Sequence, residues 1–177
     1  RWLTGGNSIF AVYRRQDGKG RVPGRLVTTS SFGLVAEKVQ QELVSLLRKV
    51  GWTLDKVLQV TQYSERIMVL RVRVGKSVLC VVSVYAPQVG RTMEEKEEFF
   101  VSLGEVLSTV DAKERLVVCG DLNGHVGARK EGFEGVHGGY GYGERNTEGE
   151  MLLEFADAMK LVVANTWFKK EDRRLVT

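Results

Sequence analysis

A chain of 177 residues, with 43% hydrophobic and 27% charged side chains, has the composition of one ordinary folded domain, which excludes a disordered or fibrous protein. No apolar run approaches the roughly 18 residues that a membrane-spanning helix needs, so no membrane partner is expected. The formal net charge of +4 favours an anionic partner without identifying one.

The two cysteines indicate the redox environment of the protein. Cys80 and Cys119 each lie inside an apolar run, where buried thiols in a reducing environment are a simpler interpretation than a disulfide or a metal site. The N-terminus has no signal-like pattern. We therefore expect an intracellular protein, with the nucleus among the compartments open to it, and not a secreted one. Because the chain begins at Arg1, we also expect a longer parent protein.

The first 60 residues give the weakest signals. Residues 1–33 show little periodicity, and "RRQDGKGRVPGR" is typical of an exposed loop. In "AEKVQQELVSLLRKVG" the apolar residues recur at helical spacing as far as Gly51, which predicts a helix. We thus expect residues 1–33 to be irregular and a helix to follow them.

Residues 65–86 predict a β-hairpin. The runs "ERIMVLRVRV" and "SVLCVVSVYA" are separated by Gly75-Lys76, a two-residue turn sequence. In the first run apolar residues lie on one face and Arg71 and Arg73 on the other, which predicts a half-exposed strand. The second run is apolar on both faces, as a central strand is. The apolar face of the first run consists of Met68, Leu70, Val72 and Val74.

Two strand–helix–strand units follow the hairpin. Thr92 and Glu95 form a T-x-x-E capping box that opens a helix, and "ERLVVCGD" is the next buried strand. Thr147 and Glu150 form a second such box, and "LVVANTWF" is the returning strand. Each unit predicts a right-handed crossover between parallel strands, so the sequence indicates the α/β class.

A connection of unusual length separates "ERLVVCGD" from the second helix. This segment, "GHVGARKEGFEGVHGGYGYGERNTEG", holds both histidines of the chain, His125 and His137. Connections this long inside a domain are usually functional or mobile. Its glycines match neither the Walker phosphate loop nor the dinucleotide-binding fingerprint, so a phosphate cradle is weakly supported.

Polar side chains lie where the parallel strands end. Tyr85 ends the first strand of the first unit, and Asp121 and Asn123 end the second. The carboxyl ends of parallel strands share one sheet edge, which is where open α/β sheets place their ligands. Asp and Asn beside glycine are also ordinary turn formers, and a tyrosine at a strand end is often a core residue. The pattern alone supports a turn and a reaction site equally.

Four segments resemble consecutive blocks of the exonuclease–endonuclease–phosphatase family: "SVYAPQVGRTMEEKEEFF", "VVCGDLNGHVGA", "GYGERNTEGEMLLEFA" and "LVVANTWFKKEDRRLVT". More narrowly, they are similar to the apurinic-type endonuclease domain of RTE-type non-LTR retrotransposons. The resemblance covers residues 65–177, with order and spacing kept, while residues 34–60 diverge. It implies a deoxyribonuclease I-like fold, a four-layer αββα sandwich of two sheets flanked by helices, of which residues 1–177 would form a single incomplete domain.

The resemblance also implies a reaction, which is hydrolysis of DNA phosphodiesters with Mg²⁺, or with Mn²⁺ in its place. Asp121 would activate or orient the attacking water, Asn123 would hold the scissile phosphate in line, and Tyr85 would contact the phosphate as charge develops. Asp121 and Asn123 would also contact the metal. Arg145 and Asn146 would bind the substrate from the loop before the second helix.

Three further residues invite a role. His125 follows the motif directly, but the essential histidine of the family lies near the C-terminus beside an acid, so a loop-shaping role is the better interpretation. Trp167 and Phe168 would suit the wall of a base pocket. At the end of a buried strand, however, such residues more often belong to the core.

Several residues of the family pattern are missing from the sequence. These are an asparagine on the first strand, a glutamate in a Gln-Glu-Thr context that is the principal metal ligand, and a C-terminal Asp-His pair. Asp121 and Asn123 alone would hold Mg²⁺ poorly, because this cation wants several oxygen ligands. We therefore expect an endonuclease domain of impaired activity. One alternative is a catalytically inactive remnant or module that binds nucleic acid or protein, and another is the same fold acting on phosphoinositides or nucleotides.

Overall fold

A computed structural model describes the backbone of residues 9–14 and both backbone and side chains of residues 56–169. Six strands form one mixed sheet in the order β2-β3-β4-β5-β1-β6. The strands are β1 (Ile9–Arg14), β2 (Val57–Gln62), β3 (Ile67–Val74), β4 (Ser77–Tyr85), β5 (Arg115–Asp121) and β6 (Leu161–Val163). Helix α1 (Met93–Ser108) connects β4 to β5, helix α2 (Thr147–Ala158) precedes β6, and a 3₁₀ turn (Ala164–Thr166) follows it. The predicted α/β class is confirmed.

The predicted hairpin is present. Strands β3 and β4 pair antiparallel from Ile67 opposite Val84 to Val74 opposite Ser77. Gly75 takes a φ of 61°, which glycine adopts without steric cost at the first central position of a two-residue turn. Strand β3 is more buried than its alternation predicts, because its first four residues are buried on both faces of the sheet. The expectation of a half-exposed strand holds only at its far end, where Arg73 is exposed.

The first crossover is confirmed. Strands β4 and β5 are parallel neighbours, in register from Leu79 opposite Arg115 to Tyr85 opposite Asp121. Helix α1 begins with the predicted capping box, in which the Glu95 amide donates to Thr92 Oγ1 at 3.3 Å and the Thr92 amide donates to Glu95 Oε2 at 3.0 Å. The side chains that the helix buries, Phe99, Leu103, Val106 and Leu107 among them, face the sheet core.

The second crossover differs from its prediction in three respects. Helix α2 is capped by Asn146 rather than Thr147, since the Asn146 side chain accepts from the Gly149 amide and Thr147 is already the first helical residue. Strand β6 runs in the same direction as β5 but does not pair with it, because β1 lies between them and is antiparallel to both. Strand β6 is also short, ending at Val163.

Strand β1 corrects the expectation that residues 1–33 are irregular. Residues Ile9–Arg14 form an interior strand, paired with β5 from Ile9 opposite Asp121 to Tyr13 opposite Val117. The sequence signal was the short apolar run "IFAVY", which is too brief to show a period. The helix predicted to end near Gly51 lies outside the described residues.

Both faces of the sheet are apolar in strands β3 to β5. One face packs against α1 and α2 in a single core, which includes Val82, Val84, Leu116, Val118, Leu103, Leu107, Leu152 and Leu153. On the other face a second cluster contains Met68, Leu70 and Val72, packed with Val57 and Val81. Full burial of one such side chain contributes about 1.5–3 kcal/mol, so both faces stabilise the fold. Among the described residues, no helix has the length and hydropathy needed to cross a bilayer.

The close approach of β4 and β5 at Gly120 gives a first prediction. Gly120 has a φ of 137°, and a Cβ built there falls on the carbonyl oxygen of Val84. We expect Gly120→Ala to lower the free energy of unfolding by about 2 kcal/mol or more, because it adds backbone strain to a steric clash. Chemical denaturation measures the loss. Gly90→Ala is the matched control, since a Cβ at Gly90 meets nothing within 4 Å, and an equal loss in both variants would contradict the prediction.

Candidate functional site

Three neighbouring strands bring three polar side chains to one edge and one face of the sheet. Tyr85 lies opposite Asp121 in the parallel register, and the Tyr85 amide donates to the Arg66 carbonyl at 2.9 Å. Because Val84 belongs to the helix-side core, its neighbour Tyr85 faces the other side of the sheet. The same alternation about Leu122 places Asp121 on that side. Arg66, Tyr85 and Asp121 therefore form a row of cation, phenol and carboxylate.

Asp121 is the most unusual residue of this row. It is 5% exposed, and its Oδ1 accepts the Asn123 amide at 3.0 Å. Its Oδ2 is buried and has no hydrogen-bond partner among the described residues. Burial raises the pKa of this carboxyl above its ordinary value, although the hydrogen bond from the Asn123 amide opposes the shift. A buried polar atom left without a partner is rare, and at a strand end it marks a place for a ligand, ion or water.

Asn123 is held in a left-handed backbone conformation, with a φ of 48°. Asparagine tolerates this conformation better than most residues. Its Nδ2 donates to the Ala86 carbonyl at 2.8 Å, so the side chain spans the gap between the ends of β4 and β5. The next residue, Gly124, lies against α2, since a Cβ there would be 2.9 Å from backbone atoms of Glu148. The turn is thus pinned to the start of that helix.

Both sequence interpretations of the Gly-Asp-Leu-Asn motif describe part of the structure. Asp121 Oδ1 and the Asn123 amide form the turn contact that the simpler interpretation predicts. Asp121 Oδ2 takes no part in that turn. One carboxylate oxygen shapes the chain, and the other has no hydrogen-bond partner among the described residues.

Arg66 is a site residue that sequence reasoning missed. Its guanidinium carbon lies 5.8 Å from the centre of the Tyr85 ring, and its Nη1 donates to the Tyr85 carbonyl at 3.3 Å. Gln88 Nε2 donates to the Tyr85 hydroxyl at 3.3 Å from the other side. The signal for Arg66 was its place directly before β3, since a hairpin that ends at Tyr85 must begin beside it.

Arg145 and Asn146, the predicted substrate residues, make contacts within the long loop. Arg145 donates to the carbonyls of Val126 at 3.2 Å and Arg129 at 2.7 Å, pairs with Glu150 at 3.0 Å, and lies 4.8 Å from the Phe133 ring centre. Asn146 Oδ1 accepts both the His125 and the Gly149 amides at 2.8 Å. These contacts fix the loop to helix α2, and a substrate role for either residue stays a prediction.

The long loop is tied together by His137. This residue is fully buried, its Nδ1 accepts the Gly139 amide at 3.0 Å, and its Nε2 lies 3.0 Å from the Gly127 carbonyl oxygen. An Nδ1 that accepts leaves the proton on Nε2, so the ring is neutral. Burial lowers the pKa of His137, with the hydrogen bond at Gly127 opposing it and Arg145 adding to it. His125 is exposed, and it shapes the loop through its backbone amide.

Trp167 and Phe168 separate into a packed and an exposed aromatic. Trp167 Nε1 donates to the Val136 carbonyl at 3.2 Å and is partly buried, whereas Phe168 is 45% exposed. Trp167 thus anchors the chain after the 3₁₀ turn to the long loop. The expectation that such residues belong to the core fits Trp167 better than Phe168.

A buried ion pair joins the starts of the two helices. Lys96 Nζ lies 2.8 Å from Glu148 Oε1, and it also donates to the Val89 carbonyl at 2.8 Å. Burial opposes ionisation of Glu148, but the hydrogen bond and the charge of Lys96, together with a backbone hydrogen bond at Glu148, outweigh it and lower the pKa of this carboxyl. This pair locks both helix starts near the sheet edge, and it commits the Glu148 carboxylate to Lys96.

The described residues around Asp121 offer a divalent metal ion an incomplete set of ligands. Asp121 Oδ2 suits one coordination position, since no other described residue bonds to this oxygen. Within residues 56–169, however, no three His, Cys, Asp or Glu side chains converge in a group that could hold a metal ion. Mg²⁺ needs near-octahedral oxygen coordination, so Asp121 Oδ2, even with the side-chain oxygen of Asn123 beside it, would leave most of the coordination shell to other ligands.

Comparison with known proteins identifies two relatives. Craniofacial development protein 2 of Bos taurus is 34% identical over 99 residues, which are 56% of this chain and 16% of the relative. Its counterpart in Tragulus javanicus is 32% identical over 114 residues, which are 64% of this chain and 20% of the relative. The chain therefore spans at most 20% of the length of either curated relative. No family model matches the chain.

The buried carboxylate gives a second prediction, on stability. A neutral amide at position 121 keeps the acceptor for the Asn123 amide and removes an unpaired buried charge. We expect Asp121→Asn to raise the free energy of unfolding at pH 7 by roughly 1–2 kcal/mol. Because the pKa of Asp121 is raised in the folded state, this carboxyl is protonated in the wild-type protein as the pH falls toward the ordinary carboxyl pKa of about 4. The difference in free energy of unfolding between Asp121→Asn and wild type therefore shrinks.

Thermal unfolding between pH 4 and pH 7 tests this expectation. Asp157→Asn serves as the control, since Asp157 is an exposed residue of α2 and its substitution should change little at any pH. A destabilised Asp121→Asn protein at pH 7 would show that the carboxylate is part of the framework and not a site.

Proposed function

We propose that this chain carries part of a phosphodiesterase site of the exonuclease–endonuclease–phosphatase type, from a DNA endonuclease domain of RTE-type non-LTR retrotransposon ancestry. The observation that carries the proposal is the buried Asp121, whose Oδ2 has no hydrogen-bond partner in the described part of the chain and lies at the carboxyl edge of two parallel strands beside Asn123. Tyr85 and Arg66 extend this group along the same edge.

The polar row suits phosphoryl transfer, which depends on positioning and on neutralising charge at the phosphate oxygens. Asp121 would orient the attacking water through Oδ2. Asn123, whose side-chain Nδ2 donates to the Ala86 carbonyl, would hold the phosphate in line with that water. The Tyr85 hydroxyl and the Arg66 guanidinium would balance the negative charge that develops on the equatorial oxygens.

The cofactor of this reaction class is Mg²⁺, with Mn²⁺ able to replace it, and its chemistry is to polarise the phosphate and lower the pKa of water. Among the described residues no group of three His, Cys, Asp or Glu side chains could hold this ion, and Glu148 is already paired with Lys96. We therefore propose that activity of this chain alone is impaired.

Three observations support the ancestry. The β4–α1–β5 crossover carries the Tyr-Ala-Pro and Gly-Asp-Leu-Asn segments at the ends of adjacent parallel strands. The sheet is apolar on the face opposite its helices, as a sheet covered by a second sheet would be. Both relatives match the chain over more than half of its length. We infer a four-layer αββα sandwich, with residues 1–177 forming one incomplete domain of it, DNA as the partner, and an intracellular, nuclear setting.

Nicking of supercoiled plasmid tests the proposed activity. We expect weak Mg²⁺-dependent nicking that EDTA abolishes and that falls about 100-fold in Asp121→Ala, the usual order for loss of a transition-state contact. Arg66→Gln should lower the rate about 10-fold or more, since it removes a charge from the row. Arg73→Gln, at the exposed far end of β3, should have no effect. Nicking that persists unchanged in Asp121→Ala would reject this site.

A second candidate function is a catalytically inactive nucleic-acid-binding module. The observation in its favour is that the described part of the chain has no group of three His, Cys, Asp or Glu side chains that could hold a metal ion. This alternative predicts DNA binding that weakens with salt as a few phosphate contacts require, with no cleavage at any Mg²⁺ or Mn²⁺ concentration. Filter binding across a salt series, run beside the nicking assay, distinguishes the two functions, and cleavage above the EDTA blank would exclude the inactive module.

A further inference from the structure

A buried cation lies near the start of helix α1. Lys96, the fourth residue of that helix, is 8% exposed. Its Nζ donates to Glu148 Oε1 and to the Val89 carbonyl, each at 2.8 Å. Two effects disfavour a lysine at this place, since burial removes its hydration and the start of a helix carries partial positive charge. Because apolar residues of similar volume often replace a buried ion pair without loss of stability, the fixed geometry of this pair is what distinguishes it.

The first partner of Lys96 lies in the loop between β4 and α1. The bond from Nζ to the Val89 carbonyl holds this loop directly after Gln88. Gln88 Nε2 in turn donates to the Tyr85 hydroxyl at 3.3 Å, and the Gln88 carbonyl accepts the Arg91 amide at 2.9 Å. Lys96 therefore fixes the backbone beside Gln88, and Gln88 contacts the phenol of the polar row.

The second partner, Glu148, lies at the start of helix α2, which is packed closely against the turn after Asn123. A Cβ at Gly124 would be 2.9 Å from backbone atoms of Glu148, and a Cβ at Gly149 would overlap the His125 carbonyl. No side chain fits between the helix start and this turn. The position of Glu148 is therefore coupled to the backbone that carries Asn123.

Lys96 connects the two strand ends of the candidate site through these partners. The contact with Val89 leads to Tyr85 at the end of β4, and the contact with Glu148 leads to Asn123 after the end of β5. A change in the distance between Val89 and Glu148 would move the loop and the turn relative to each other. The width of the gap between the two strand ends therefore depends on the contacts of Lys96.

We propose that Lys96 is a positioning residue: by holding Val89 and Glu148 together, it sets the placement of the Asn123 side chain relative to the Tyr85 hydroxyl. This inference rests on the proposed function for the group that the two side chains contact, which is a phosphate. Lys96 is buried and bonded to its own partners, so it acts through them and not by touching the substrate. A misplacement of about 1 Å can lower a rate about 100-fold, so loss of Lys96 should slow the chemical step.

A neutral double variant tests this role. Lys96→Met with Glu148→Gln removes the ion pair and the bond to Val89 without leaving a buried charge unpaired. We expect its Tm to stay within about 4 °C of the wild-type value, since neutral side chains of similar volume replace the charged ones. In plasmid nicking we expect kcat to fall about 10-fold with KM changed by less than about 2-fold, because the variant misplaces reacting groups without removing a substrate contact. Lys96→Arg keeps a cation and donors for both partners, so it should retain more of the kcat than the double variant.

A second ion pair provides the matched control. Arg71 Nε lies 3.2 Å from both carboxylate oxygens of Glu114, and each side chain is 16% exposed. Glu114 directly precedes β5, so this pair lies near the opposite end of that strand from Asp121. Arg71→Met with Glu114→Gln should leave kcat and KM unchanged. If both pairs only stabilised the fold, the two double variants would behave alike.

A spectroscopic measurement on the free protein follows Asn123 without any need for activity. Its side-chain Nδ2 donates to the Ala86 carbonyl at 2.8 Å, so the ¹H–¹⁵N signals of this amide group report the contact. We expect these signals to shift and their protons to exchange faster with water in the Lys96 double variant. The signals should keep their wild-type positions in the control variant. Asn123→Ala, which lacks the signals, assigns them.

The outcomes for Lys96 and for the proposed function are separable. Moved Asn123 signals and a lower kcat in the Lys96 double variant, both absent in the control, support the positioning role. Wild-type protein that never nicks plasmid rejects the proposed function, and the Asn123 signals alone then decide the role of Lys96. Unchanged Asn123 signals, an unchanged kcat, or equal changes in both double variants overturn the proposal. If the Lys96 double variant does not fold, Glu148→Gln alone, which weakens the pair by removing its negative charge, takes its place and should move the same signals.

Discussion

The parallel contact between the ends of β4 and β5 determines the candidate site. Gly120 allows β5 to come so close to Val84 that no side chain fits between them, and the register then sets Tyr85 across from Asp121. Asn123 closes the same gap from the other side through its contact with the Ala86 carbonyl. Each residue of this short motif thus has a different physical role. Gly120 allows the strands to approach closely, Asp121 supplies a carboxylate, and Asn123 bridges the two strand ends.

The candidate site lowers the stability of the fold, and contacts in the surrounding elements offset this loss. A buried carboxylate oxygen without a partner among the described residues lowers the stability of the fold, whereas the surrounding elements are well fastened. The Lys96–Glu148 pair joins both helix starts, and Arg145 and His137 turn a long irregular connection into a fixed structure. This division between a strained centre and a rigid frame is typical of preorganised sites, in which binding of an ion or substrate relieves the cost.

Local patterns of the sequence predicted local structure well. The Gly75-Lys76 turn, the apolar run of β4 and the Thr92–Glu95 box each involve residues close in the chain, and all three are present. What escaped prediction depends on distant partners. Strand β1 can be identified only from its pairing with β5 and β6. Arg66 reaches the candidate site only through the register of the β3–β4 hairpin. Asn146 took the cap because its side chain serves the His125 amide as well as the helix. The roles of Tyr85, Asp121 and Asn123 in a reaction remain predictions.

Strand β1 has a consequence for how the sheet is completed. Its partners on β5 follow it by roughly 110 positions, so this pairing is among the slowest contacts for a growing or refolding chain to find. Until it docks, β5 has an open hydrogen-bonding edge, and β6 has no place to attach because it touches the sheet through β1 alone. The hairpin and first crossover can assemble early from neighbouring segments. The sheet beside Asp121 is complete only after the N-terminal segment has docked. A segment far from Asp121 in the sequence therefore determines whether the sheet next to the polar row of Arg66, Tyr85 and Asp121 is completed.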